Sequence, residues 1–111
     1  MGAEPSVWRV RALGKQGDEL GEAAFAFGSE NDAPDLVERF RAFVLGAGGD
    51  LRASGVAAIA EQRHTVDAIL REWGNAQRVQ SPSERSDLRQ QLYQAVILIK
   101  FLEQLMPAPR A

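Results

Sequence analysis

The chain's one histidine, His64, follows Glu61 by three residues and precedes Asp67 by three. On a helix, side chains three apart are neighbours, so each acid would sit beside the imidazole. The Glu-x-x-His spacing recurs in di-iron helical bundles, where two such pairs join further glutamates. One pair per chain is half of that set. Glu61 and His64 could therefore hold a metal only if a helical dimer completed the site. The plainer reading is a solvated polar face around a surface imidazole. The His-Glu-x-x-His spacing of zinc peptidases is absent.

Nucleophilic chemistry has thin support. There are no cysteines, which excludes disulfides, thiolates and cysteine-bound metals. Serines stand at 54, 81, 83 and 86, but none lies on a recognisable nucleophile turn, and no pair of carboxylates stands apart from the rest. The stretch LGAGGD, residues 45–50, looks superficially like a phosphate-cradling loop. A true one follows a strand and, in a P-loop, carries Gly-Lys-Ser/Thr. Here the glycines follow a predicted helix, so left-handed geometry at a helix end explains them better. No enzyme activity, catalytic residue or cofactor is expected.

The basic residues suggest one further chemistry. Arg9 and Arg11 project from one face of a predicted strand, and Arg63, Arg71, Arg78, Arg85 and Arg89 are spread along two predicted helices. Such a set could contact phosphates, which makes a nucleic-acid-associated regulator the alternative function. Acidic neighbours such as Glu61, Asp67, Glu72, Glu84 and Asp87 favour solvated ion pairs instead. The whole chain carries a net charge of −2, so the global basic footprint of a nucleic-acid binder is missing.

Length and composition set the frame. A chain of 111 residues suggests one domain, 1–111, with 1–6 and 107–111 as loose ends. It can bury roughly 65% of its unfolded surface, enough for one modest core. Hydrophobic content of 45% and charged content of 25% are ordinary for a globular domain. No apolar run is long enough for a membrane span, and the N-terminus lacks a secretory pattern, so a cytoplasmic location is expected. Met1-Gly2 with Ser6 matches the short myristoylation pattern, which arises easily by chance. Arginine outnumbers lysine eleven to two and alanine is abundant, as codon bias in a GC-rich bacterial genome would produce.

These residues need elements to hold them. VWRVRAL (7–13) alternates, with Trp8, Val10 and Ala12 on one side and Arg9 and Arg11 on the other. A glycine-bearing turn leads to ELGEAAFAF (19–27), so a β-hairpin is predicted with Trp8, Val10, Phe25 and Phe27 inward. Two strands alone are marginal in water, so the hairpin must lie on helices or pair with a second copy. Asp32 and Pro34 open a first helix whose stripe is Leu36, Phe40, Phe43 and Val44. A second helix is marked from Ile59 onward by Ile59, Val66, Ile69, Leu70 and Trp73. Residues 51–58 either extend it, capped by Asp50, or form a short extended stretch beside the hairpin; helix is the favoured reading. Ser81, Pro82 and Glu84 make a capping box for a last helix that runs to about Leu105.

That last helix is apolar on two sides. A broad stripe holds Leu88, Leu92, Ala95, Val96, Ile99, Leu102 and Met106, widened by Leu98 and Leu105. A narrow stripe of Tyr93, Ile97 and Phe101 lies opposite, with Arg89, Lys100 and Gln104 on the flanks. One side can face the preceding helices. The other needs the hairpin or a second chain.

The fold class expected is α+β: an N-terminal β-hairpin packed on three α-helices, the C-terminal helix long and central. The function expected is a non-enzymatic protein–protein interaction module (adaptor, accessory subunit or immunity-type inhibitor). Its partner would be a second copy, another protein, or both, with homodimers the commonest closed assembly. The expected interface is Tyr93, Ile97, Phe101 and Lys100, with Trp8 from the hairpin.

Overall fold

The computed structural model describes residues 6–28, 30–74 and 81–105. It is an α+β arrangement of a hairpin followed by three helices, the last one long. Strand β1 is Ser6–Leu13 and β2 is Glu19–Phe27, paired antiparallel. Helix α1 is Ala33–Gly46, entered through a short 3₁₀ turn at Glu30–Asp32. Helices α2 and α3 are Leu51–Trp73 and Pro82–Leu105. Of the expected loose ends, 1–5 and 107–111 lie outside the described residues, as do Met106 and Arg78, whereas Ser6 is the first residue of β1.

The hairpin follows its period of two. Trp8, Val10 and Ala12 are buried while Val7, Arg9 and Arg11 are exposed. The register sets Trp8 opposite Phe25 and Val10 opposite Ala23, so the inner face is apolar on both strands. The turn closes with Gly14 N–H donating to the Asp18 carbonyl at 2.8 Å, and Gly17 takes a φ of +84°. Just before the turn the register slips between Ala12 and Leu13. That bend carries the Leu13 backbone toward the start of α2.

Side chains and backbone geometry set the helix ends, with one change from expectation. Asp32 occupies the cap position of α1, but its side chain does not cap the helix; it accepts from the Gly28 N–H at 3.1 Å. The 3₁₀ turn ahead of α1 gives Asp32 a helical backbone rather than the extended one a side-chain cap requires. Asp50 has that extended backbone and accepts from the Ala53 N–H at 2.8 Å. Residues 51–58 are therefore the first turns of α2. Ser81 Oγ accepts from the Glu84 N–H at 3.1 Å, as the capping pattern anticipates.

The core lies between the hairpin's inner face and the three helices. It joins Trp8, Val10 and Phe27 to Phe40 and Val44 of α1, Ala58 and Ile59 of α2, and Leu98 and Leu102 of α3. Phe40 is wholly enclosed, its ring 5.5 Å from that of Trp8. Helix α3 packs against both α1 and α2.

Two helices are less covered than their sequences suggest. The buried residues of α3 are Gln94, Ala95, Leu98 and Leu102. That sector keeps Ala95, Leu98 and Leu102 of the broad apolar stripe but is turned about 50° from its centre, at 100° per residue. Val96, expected inside the stripe, is 49% exposed. A helix wedged between two others buries the sector facing both, not the sector richest in apolar residues. On α2, Val66 and Trp73 are half-buried and Leu70 is 52% exposed. The radius of gyration, 15.4 Å, exceeds the roughly 13 Å of a compact chain this long. The molecule is elongated, 46 by 37 by 23 Å.

Candidate functional site

Within one chain, Glu61 and His64 face different surroundings. Glu61 is turned to the hairpin, where Arg11 Nη2 donates to its Oε1 at 2.7 Å. That bond, and then the charge of Glu61, hold the Arg11 guanidinium above its ordinary pKa. His64 is exposed and lies in a shallow depression with Val56, Arg63, Asp67 and Glu103. Among the described residues, no three His, Asp or Glu side chains are grouped to hold a metal ion.

Two of the serines have structural duties. Ser54 is buried and bonded to the Leu13 backbone, and Ser81 caps α3. Ser54 and His64 are ten positions apart on one helix, about 15 Å along its axis. That is far beyond proton-transfer reach. The LGAGGD segment joins two helices. Gly48 adopts φ +75° at the end of α1, and Asp50 opens α2, so the loop is a helix stop followed by a helix start.

Four of the eleven arginines are engaged with carboxylates among the described residues, Arg11 and Arg63 of the predicted basic set among them. Arg11 meets Glu61 and Glu19, Arg39 meets Asp35, Arg41 meets Glu38 and Arg63 meets Glu103. All five pairs are exposed, so each contributes little to stability. They do leave those guanidinium groups neutralised where a phosphate would need them.

The predicted interface residues separate by depth. Tyr93 is 59% exposed, Ile97 and Phe101 are half-buried against the core, and Lys100 is exposed. Residues four apart advance 40° around a helix. The Tyr93–Ile97–Phe101 line therefore spirals from the outer surface to the margin of the core. Trp8 is 4% exposed, and its ring packs on Phe25 and Phe40. Val96 stands beside Tyr93 on the outer face at spacing i, i+3. Helices α2 and α3 run antiparallel, with Arg63 against Glu103. Continuing that pairing two turns brings Leu70 level with Val96. By this geometry Tyr93, Val96 and Leu70, all exposed, fall on the same side of the two helices.

Sequence reasoning missed a second feature. A cleft of about 250 Å³ opens between the hairpin and the α2–α3 pair, lined by Trp8, Phe27, Gln62, Thr65, Gln91 and Gln94. Three glutamines on two helices were the available signal, but nothing local says that they converge.

No helix among the described residues is long and apolar enough to cross a membrane. Comparison with protein-family models, curated proteins and solved structures finds no match to this chain.

Proposed function

We propose that this chain is a non-enzymatic protein-interaction module that self-associates through the outer face of α3. What supports the reading is the exposure of Tyr93, Val96 and Leu70, each about half or more exposed, which helix geometry sets on one side of α2 and α3. Large apolar side chains grouped on one surface mark sites of association. A two-fold pairing would set the same patch against itself. An antiparallel approach of two α3 helices about Val96 also brings Arg89 of each copy level with Glu103 of the other. The charges at the ends of this face would then be complementary.

Sedimentation at a series of concentrations tests this. The wild-type chain should approach twice the 12.1 kDa of one subunit. Tyr93→Glu and Val96→Glu should sediment as single chains with unchanged helical circular dichroism. A wild-type protein that stays a single chain throughout the series overturns self-association.

A further inference from the structure

The cleft between the hairpin and the α2–α3 pair contains two polar groups that the fold itself does not use. Gln94 is 7% exposed, yet its amide bonds to no described residue. The indole N–H of Trp8, in a residue 4% exposed, likewise has no acceptor among the described residues. No fully buried side-chain nitrogen or oxygen among them lacks a partner. Both groups must therefore reach solvent, and the cleft is the opening that both line. Most of the Gln94 side chain is buried and only its amide meets the cleft, so packing alone does not call for a polar residue there.

We propose that this cleft is a binding site for an uncharged carboxamide group. The lining residues exclude the other classes. None of the described lining residues is charged, so an anion or cation would lose its hydration to them without compensation. A purely apolar guest would leave Gln94 and Trp8 unpaired. The indole N–H can only donate, which requires a carbonyl or similar acceptor in the ligand. The Gln94 amide both donates and accepts, which an amide answers with its own N–H and C=O. Thr65 donates its hydroxyl proton to the Glu61 carbonyl oxygen at 3.1 Å, leaving its lone pairs to receive an N–H. A sugar stacked on tryptophan does not fit, because the Trp8 ring already packs against Phe25 and Phe40. Val7, Phe27, Ala95 and Leu98 supply apolar walls for the carbon attached to the amide. A volume of about 250 Å³ admits one group of side-chain size, below the range of cofactor pockets.

That the amide is carried by a polypeptide rests on reading the chain as a protein-interaction module. It would be either a main-chain peptide group or the side chain of an asparagine or glutamine. Two small probes distinguish these: N-methylacetamide copies the peptide group and acetamide copies the side chain.

The test is a titration followed by ¹H–¹⁵N spectra of the full chain. There are two tryptophans, so the Trp8 indole signal has an internal reference in Trp73, which lies outside the cleft. One or both amides should shift the Trp8 indole signal and the Gln94 side-chain NH₂ signals saturably, with Trp73 unmoved. Acetate and methylammonium should act at least about tenfold more weakly. Gln94→Met should abolish the saturable shift without lowering the unfolding midpoint, because the fold gives the amide no partner to lose. Thr65→Val, at an exposed position, should weaken the shift in a chain whose fold is undisturbed. The proposal is overturned if both indole signals drift together and linearly, if acetate matches acetamide, or if Gln94→Met lowers the midpoint. Sedimentation of the same samples reads self-association separately, so a single chain that binds amides keeps the site and loses the assembly.

Discussion

Leu13 and Ser54 exchange two hydrogen bonds across 41 positions of sequence. The Leu13 N–H donates to Ser54 Oγ at 2.8 Å, and the Ser54 hydroxyl donates back to the Leu13 carbonyl at 3.3 Å. The Asp50 N–H joins the same carbonyl at 2.7 Å. The slipped register at the end of β1 takes the Leu13 peptide out of the regular ladder, and the first turn of α2 satisfies it. This clamp ties the hairpin to the helical layer and so helps set the height of Trp8 above α2 and α3.

Ser54→Ala should therefore unfold more easily than its small volume change suggests. Both side-chain bonds vanish and the Leu13 N–H loses its acceptor. A loss of about 1–3 kcal/mol is expected, read from urea unfolding. Ser54→Thr keeps the hydroxyl but adds a methyl group at a site 1% exposed, so it should not fully restore the midpoint.

Phe40→Ala should be the most damaging single truncation on α1. The ring is wholly enclosed and packs on Trp8. A loss of about 3–5 kcal/mol is expected, with collapse of the Trp8 fluorescence signal into a solvent-exposed spectrum. Val96→Ala, on the outer face, should cost no more than about 0.5 kcal/mol in the single chain at high dilution.

Two glycines in the α1–α2 corner should respond with opposite signs. Gly46 ends α1, and a Cβ there meets nothing within 4 Å, so Gly46→Ala should add about 0.4–1 kcal/mol. Gly48 holds φ +75°, so Gly48→Ala should cost about 1–2 kcal/mol although the space is open. Thermal unfolding of the pair checks both signs at once.

The Arg11–Glu61 bridge should matter little to stability. Both side chains are about half exposed. The Arg11 pKa is raised in the folded state, first by the Glu61 hydrogen bond and then by its charge. A raised pKa gives stability that is present below the unfolded value and is lost as pH rises through the folded one. For arginine that window lies in strong base, so Arg11 itself adds no pH dependence near neutrality. Arg11→Gln should shift the urea midpoint less than Ser54→Ala does, and the difference from wild type should shrink in high salt.

If the outer face of α3 joins two copies, the melting temperature should rise with protein concentration, because association stabilises the folded form by mass action. Tyr93→Glu should remove that dependence while keeping the melting temperature of the dilute wild type.

Local spacing by itself determined where the elements lie. Alternation at Trp8, Val10 and Ala12 marks β1, the Leu36–Phe40–Val44 spacing marks the buried side of α1, and Ser81, Pro82 and Glu84 mark the start of α3. These signals act within one or two turns of chain, and the short-range physics that sets them is written in adjacent residues. Depth was another matter. α3 is apolar around most of its circumference, so its periodicity could not say which sector faces inward. Only the positions of α1 and α2 decided that Leu98 is covered, Val96 is not, and Gln94 is enclosed beside Trp8. The same holds for Ser54, whose partner lies 41 residues away. Burial and pairing across such distances depend on which surfaces the packed helices leave open, and no single stretch of sequence encodes that.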